Sequence, residues 1–156
     1  MFLLDILRRL VRCTSGTAAI EGAIVVPVAI LLMAGGVEFG RLFLAYGTAG
    51  KSMRDATRYL ARVPQAYICG WGLTNAQNLA VYGKINPTNS DQPLLPNWTT
   101  STVTLQSPSS CNGTPTDPLV IQLNAAVPYS GFMFNAIGLS NAWTLNVEHE
   151  ERSIGE

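Results

Sequence analysis

The sequence predicts an α+β fold in which a long N-terminal transmembrane helix continues into a small head built on an antiparallel sheet. Two observations predict the helix: an uncharged apolar stretch from Gly22 to Val37, and an apolar repeat at helical spacing after it. A third predicts the sheet, because clean apolar/polar alternation occurs only in the last third of the chain. A length of 156 residues allows one small domain with one appendage.

Charge is divided unevenly along the chain. Residues 1–62 carry eight basic and four acidic side chains, whereas residues 63–156 carry two basic and six acidic ones. The two parts are therefore expected to lie in different surroundings. The net charge of zero provides no overall basic field for nucleic acid, and a charged fraction of 13% excludes a highly charged disordered chain.

The apolar stretch has the length of a membrane span. From Thr17 to Val37, twenty-one residues contain a single charged side chain, that of Glu21. As a helix they extend about 30 Å, the thickness of the hydrocarbon core of a bilayer. Backbone groups in lipid must be satisfied internally, so the span is predicted to be helical. A buried core helix is the alternative, but so small a soluble domain could hardly surround it.

The helix is predicted to continue beyond the span, as one element over roughly residues 17–62 that ends before Pro64. An apolar seam repeats at spacings of three and four, and a basic stripe runs beside it. The apolar seam consists of Tyr46, Ala49, Met53, Ala56 and Leu60, and the basic stripe of Lys51, Arg54, Arg58 and Arg62. Glu38 and Arg41, three residues apart near the end of the span, form either a local ion pair or a contact with another subunit.

Residues 63–156 are predicted to form the head. Thr74 with Gln77 three residues later is a capping-box pattern, and it begins a short helix that ends at Gly83. A short strand is expected near Thr99–Gln106. Two alternating segments predict longer strands, with turns near Pro128 and Asn141; their apolar positions are Leu119, Ile121, Leu123, Ala125 and Val127, then Trp143, Leu145 and Val147. The apolar seam is expected to pack against this sheet.

The cysteines bear on the orientation of the chain. Cys13 precedes the span, while Cys69 and Cys111 both follow it. A Cys69–Cys111 disulfide would require an oxidising compartment, which places the head outside the cytoplasm. The alternative is two unrelated buried thiols. Basic residues flank the span on both sides, so the positive-inside rule alone leaves the orientation open.

The N-terminal sequence also contains a candidate cleavage site. A basic leader, residues 1–16, ends at Gly16, and Glu21 follows five residues later. An acid at the start of an apolar helix is costly in lipid and implies a partner. Cleavage after Gly16 would give Thr17 a new α-ammonium group. Glu21 would be the natural carboxylate to neutralise that charge, within the same chain or on an adjacent subunit.

These motifs resemble a known family. A glycine, four residues and a glutamate before an apolar helix form the type IV prepilin processing pattern, and the wider region resembles the TadE-like proteins of Flp (tight-adherence, type IVb) pili. Gly22 departs from the pattern, because the family usually carries an aromatic residue there. The resemblance covers roughly residues 14–62, and its elements are Ala19-Ile20-Glu21, Val26-Pro27, Val37 to Arg41, and Arg54 to Tyr59.

The resemblance implies a pilin-like fold and a minor pilin or pseudopilin needed to assemble adhesive pili. Such proteins sit in the bacterial inner membrane with a periplasmic C-terminal domain, and they can enter the extracellular pilus. Implied partners are other pilins or pseudopilins, the prepilin peptidase, the inner-membrane assembly platform and membrane lipid, with no nucleic acid. Residues 1–16 would be the leader, 17–62 the long helix and 63–156 the periplasmic head.

Catalysis and cofactors are not predicted. The single histidine, His149, lies among acidic residues near the C-terminus, and no nucleophile–base pair or phosphate-binding glycine loop is present in the sequence. The main alternative function is a secreted soluble binding module behind an ordinary signal peptide cut near Ala45-Tyr46-Gly47. A membrane-tethered enzyme is a third class, which the single histidine disfavours.

Overall fold

The computed structural model describes residues 15–107, 120–131 and 142–155. Helix α1 spans Ser15–Leu60 and helix α2 spans Leu73–Tyr82. Three strands follow, β1 (Val103–Ser107), β2 (Val120–Ser130) and β3 (Ala142–Arg152), and they form one antiparallel sheet in the order β1-β2-β3. The predicted α+β class, with a long apolar helix before a small antiparallel sheet, is confirmed.

Helix α1 runs without a break through Pro27. Its 46 residues divide between two compact units of the structure, Met1–Phe39 and Gly40–Glu156. After Leu60 the backbone tightens, since Arg62 and Val63 donate to the carbonyls three residues earlier. The next residue, Pro64, has no N–H to continue the helical pattern, so the helix ends where the sequence predicts.

The apolar seam forms the core of the second unit. Ala49, Met53, Ala56 and Leu60 are each 0% exposed, and they cluster with the inward-facing side chains of the sheet. Tyr46 was expected to belong to this buried seam, but it is 52% exposed. Burying the four inner residues removes a large apolar area from water and is a main source of stability for the unit.

The start of α2 differs from the prediction. The N-cap position is Gly72, and neither Thr74 nor Gln77 caps the helix. The segment Ile68–Gly72 kinks at Gly70, whose backbone is non-helical (φ −101°, ψ −122°), and it leads into α2, so the backbone N–H of Leu73 already has the carbonyl of Gly70 as its partner. The Gln77 side chain is thereby free to donate to the backbone carbonyl of Val103, 2.8 Å away, which ties α2 to β1.

The end of α2 follows the prediction. Gly83 has a φ of 69° and donates to the carbonyl of Leu79, which is the left-handed glycine stop. The loop beyond it is held by Asp91, which accepts from Lys84 and from the backbone N–H of Thr88. The hydrogen bond from Lys84, with that from the Thr88 backbone, lowers the pKa of Asp91 to about 2. The same loop buries Trp98, which is only 1% exposed.

The sheet places one set of alternating residues inward. In β2 the side chains of Ile121, Leu123, Ala125 and Val127 are buried, as the alternation predicts. Opposite them on β3, register pairs these positions with Glu151, His149, Val147 and Leu145. Residues directly opposite each other share a face of the sheet, so the other face carries the intervening positions of both strands.

Three boundaries of the strands differ from the prediction. Residues Thr100–Thr102 form a 3₁₀ turn, so β1 begins later, at Val103. Strand β2 does not turn near Pro128. The last β2 residue paired with β1 is Ala125, so Pro128 occupies a stretch with no described β1 neighbour, where a missing N–H is tolerated. Strand β3 continues through the acidic segment, because its register with β2 runs to Arg152. Leu119 and the turn near Asn141 lie outside the described residues.

Gly72 offers a test of this packing. An added Cβ there would lie 2.7 Å from the carbonyl oxygen of Tyr67 and 3.0 Å from a methyl of Val63. Gly72→Ala is therefore expected to lower the free energy of unfolding by about 1–3 kcal/mol. The control is Gly50→Ala, where a Cβ meets nothing within 4 Å, and which should raise helix stability by about 0.5–1 kcal/mol. Denaturant unfolding of the detergent-solubilised chain measures both, and equal effects of the two substitutions would contradict the packing at Gly72.

Candidate functional site

The first unit presents an apolar helix surface in every direction. Between residues 18 and 37 every side chain described is exposed or half-exposed. At 100° per residue the large apolar side chains point to all sides of the helix, so no polar face is available for water. They include Ile20, Ile24, Val25, Val28, Leu31, Leu32, Met33 and Val37. Among the described residues, α1 is the one helix long and apolar enough to cross a membrane, which is consistent with a single-pass membrane protein.

Gly16 is the second described residue of α1, and no contact there requires a glycine. A Cβ at this position would meet no atom within 4 Å, and its φ is not in the left-handed region.

Glu21 is exposed and lies four residues beyond Thr17 on the same helix. Residues four apart lie on one face, separated by a rise of about 6 Å, and helix side chains incline toward the N-terminus. Glu21 and Thr17 therefore lie on the same face of α1, one turn apart. The first turn of α1 contains no acidic residue, which leaves Glu21 as the acid nearest to the N-terminal end of the described helix.

Glu38 and Arg41 differ in their surroundings. Glu38 is only 3% exposed and takes part in a polar or electrostatic interaction, although Val37 and Phe39 on either side of it are well exposed. Arg41 is exposed. The predicted pairing between the two remains a prediction. The burial of Glu38 is a structural finding that no pattern in the sequence indicates.

Arg41 also borders a cavity of about 260 Å³ within the second unit. Its walls come from α1, from the loop before β1, and from β2 and β3. Among the described residues that line it, Arg41 carries the only charge, and most of the others are apolar: Leu44, Ala45, Leu95, Pro96, Val127, Pro128 and Leu145, with the hydroxyls of Thr48, Tyr129 and Ser130. The cavity wall so described holds no acid–base pair. The sequence could not indicate this cavity, because its walls come from four separate segments.

Cys69 lies in the kinked segment Ile68–Gly72 before α2 and is disulfide-bonded. Its side chain is half-buried against the core of the second unit. The predicted partner, Cys111, lies outside the described residues, as does Cys13. A disulfide at Cys69 agrees with the expectation that this part of the chain matures in an oxidising compartment.

His149 lies on the inner face of β3, where its Nε2 is 3.6 Å from a carboxylate oxygen of Glu151. Their spacing of two residues places both on one side of the strand. In the part of the chain that the structure describes, no group of three or more residues is arranged to hold a metal ion.

The comparisons with known proteins agree with the resemblance read from the motifs. Residues 16–58 match the family model described as TadE-like protein. This match begins at Gly16, includes Glu21, Glu38 and Arg41, and ends at Arg58, so it covers most of α1 and none of the sheet. Neither a curated protein nor a solved structure matches the chain. The TadE-like match implies involvement in the Tad pilus.

The disulfide can be mapped directly. Non-reducing peptide mapping of protein isolated from membranes is expected to give one linked pair, Cys69–Cys111, within a single chain. Cys13→Ser should leave that pair intact, since Cys13 lies in the predicted leader. Alkylation of Cys69 without prior reduction, or a link from Cys69 to a different cysteine, would contradict the pairing.

Proposed function

We propose that this TadE-like chain is a minor pilin or pseudopilin, a structural component required to assemble the Flp/Tad (type IVb) pilus. A prepilin peptidase trims it between Gly16 and Thr17. The trimmed chain is held in the inner membrane by α1, with the second unit in the periplasm. From there it can be drawn into the extracellular pilus or act beneath it.

The observation that carries this proposal is the N-terminal part of α1, where an exposed apolar helix carries a single acid. The large side chains between residues 18 and 37 need lipid or other apolar helices around them. Glu21 would be costly in either environment unless it meets a positive charge. The α-ammonium of a trimmed Thr17 supplies that charge, one helical turn away or on the neighbouring subunit.

Gly16 supports the choice of cleavage site. Neither packing nor backbone conformation requires a glycine there, as no atom lies within 4 Å of an added Cβ. A glycine in that setting is better explained by recognition, since a narrow protease subsite accepts only the smallest residue. This argument is independent of Glu21, which acts after cleavage.

The disulfide supports the proposed orientation. Cys69 comes after the span and is disulfide-bonded, and disulfides persist in oxidising compartments. This supports a periplasmic position for residues 63–156 and a cytoplasmic position for the leader with Arg8, Arg9 and Arg12. The partners are then the prepilin peptidase, other pilins or pseudopilins, the assembly platform and membrane lipid.

The alternative, a secreted module cut near Gly47, fits the structure less well. Residues 40–47 belong to the second compact unit, and Leu44 and Ala45 line its cavity. Cleavage near Gly47 would remove them and expose the interior beside Val127. A cut after Gly16 leaves the second unit whole.

Substitution of Gly16 tests the cleavage. Gly16→Leu is expected to leave the 16-residue leader attached, whereas the unaltered chain should begin at Thr17 and retain 140 residues. Intact mass and N-terminal sequencing of membrane-extracted protein from the host distinguish these products. Gly22→Ala is the control, because a Cβ there also meets nothing within 4 Å, and it should be trimmed as usual. Normal trimming of Gly16→Leu would refute the proposed site.

Substitution of Glu21 tests assembly separately from processing. Glu21→Ala removes the carboxylate, and it is expected to spare membrane insertion and to reduce surface pili at least roughly tenfold, because the ammonium of Thr17 loses its partner. Glu21→Gln keeps the size and should fail in the same way. Cell fractionation measures insertion, and quantification of sheared pili measures assembly. Wild-type numbers of pili in both variants would show that the carboxylate has no role in assembly.

A further inference from the structure

The second unit contains a pocket of about 670 Å³ that the proposed function does not use. It lies where the beginning of β1 meets the middle of β2 and β3, beside Tyr46 of α1. Its volume is within the range of about 300–1,000 Å³ that small-molecule sites occupy. All of the described residues that line it belong to residues 40–156, so the pocket is independent of cleavage and of membrane insertion.

The lining of this pocket is mostly polar, and among the described residues it includes no basic side chain. An anionic ligand would therefore meet a negative charge and no positive one. Hydroxyl and amide groups both donate and accept hydrogen bonds, which suits an uncharged ligand that does the same. The hydroxyls, amides and single carboxylate of the lining belong to Ser101, Thr102, Thr104, Asn124, Asn146 and Glu148.

Asn124 has an unsatisfied hydrogen-bonding group. Its side-chain Oδ1 is buried and has no hydrogen-bond partner in the protein. The neighbouring Thr104 donates its hydroxyl to the backbone carbonyl of Asn124, at 3.5 Å, and not to the side-chain amide. A buried acceptor without a partner costs free energy, and native proteins contain few of them. A ligand hydroxyl that donates to Oδ1 would remove this cost.

The register of the sheet sets Asn124 between two other polar residues of the pocket. Thr104 of β1 and Glu148 of β3 are its cross-strand partners. Such partners have Cβ atoms about 5 Å apart, so the three side chains share one face of the sheet within about 10 Å. Asn146 shares that face, two residues from Glu148 and about 6.6 Å along β3. These groups are close enough to bind several hydroxyls of one small ligand.

Tyr46 adds an aromatic ring to the pocket. The apolar repeat of α1 predicts a buried position for it, but it is 52% exposed. A tyrosine ring is rigid and presents a flat apolar face. A pyranose ring has an apolar face of C–H groups and a rim of hydroxyls. It therefore matches a pocket that combines one aromatic ring with several hydrogen-bonding groups.

We propose that this pocket binds one pyranose unit of a neutral saccharide. Asn124 Oδ1 and the Glu148 carboxylate accept hydrogen bonds from ring hydroxyls, and the Asn146 amide donates to another. The ring of Tyr46 covers the C–H face of the sugar. An organic ammonium ion is the other ligand that two acceptors would suit. Such an ion has no acceptor for the hydroxyl and amide donors of the pocket, so the saccharide satisfies more of the lining.

Titration of the full-length chain with neutral pyranosides tests the proposal. The probes are the methyl glycosides of glucose, mannose and galactose. The chain is kept in a detergent without a sugar headgroup, because a maltoside detergent would compete for the pocket. Saturation-transfer NMR is expected to show binding of at least one probe. Its affinity should be the same at low salt and at about 0.5 M salt, because the ligand carries no charge. Methylammonium chloride, the probe for an ammonium ion, should not bind.

Substitutions in the pocket locate the binding. Asn124→Leu keeps the size and removes the amide, whereas Tyr46→Ala removes the ring, and each is expected to weaken binding about tenfold. Tyr46→Phe should restore most of the binding that Tyr46→Ala loses, because the ring is kept. Glu148→Gln should weaken binding less than Glu148→Ala, since the amide oxygen still accepts. The matched control is Tyr67→Ala, because Tyr67 is also 52% exposed but lies outside the pocket.

Denaturant unfolding of each variant shows that it is folded before its binding is compared. If Asn124→Leu does not fold, the comparison of Tyr46→Ala with Tyr46→Phe still decides. Four results overturn the proposal: no glycoside binds, methylammonium binds in their place, binding survives Tyr46→Ala, or binding is lost in Tyr67→Ala. Trimming after Gly16 and the number of pili do not depend on this pocket, so failure here leaves the proposed function untouched.

Discussion

The burial of one face of α1 against the sheet is the interaction on which the second unit depends. Small and flexible residues, Ala49, Met53 and Ala56, let the helix approach closely, and Leu60 fills the end of the contact. The core continues through Ile121 and Leu123 of the central strand. Each other feature of the unit is placed by this contact: the cavity beside Arg41, the outward direction of the basic stripe, and the far side of the sheet. Between residues 18 and 37 every described side chain of the same helix is exposed or half-exposed, and the apolar ones require surroundings other than water.

The parts of the fold that the sequence predicts are those in which one physical rule acts alone. The span is visible because a bilayer requires about twenty apolar residues, and the apolar seam is visible because the helix repeats every 3.6 residues. The alternation of apolar and polar residues in β2 likewise predicts which side chains face inward, because successive residues of a strand point to opposite faces of the sheet. The stop at Gly83 follows from its ability to adopt a positive φ. The roles of Gly16 and Glu21 stay predictions, which rest on spacing and on resemblance rather than on any contact.

The errors arise where tertiary contacts override a local pattern. Thr74 and Gln77 have a capping-box spacing, but the N–H of Leu73 already donates to the carbonyl of Gly70 in the preceding segment, and the Gln77 side chain donates to Val103 instead. Proline often ends a strand because it has no N–H to donate. Pro128 is tolerated within β2 because the neighbouring strand β1 does not extend far enough to pair with it. Tyr46 fits the apolar repeat but is half exposed, beside a surface pocket that it shares with Ala125 and Val147. Trp98, set in a polar loop, becomes one of the most buried residues, and Glu38 is buried among exposed neighbours. No local rule contains that information.

The end of the described chain has a mechanical consequence. Ile154 and Gly155 both donate to the backbone carbonyl of Ala61, just past the end of α1, at 2.8 and 3.1 Å. Strand β3 is thus fastened to the terminus of the helix as well as to β2 along eleven paired positions. A force applied along α1 would reach the sheet through two sets of contacts at once, the packed side chains and these two backbone hydrogen bonds. Under such a force the unit is expected to resist unfolding better than one in which β3 is held by β2 alone.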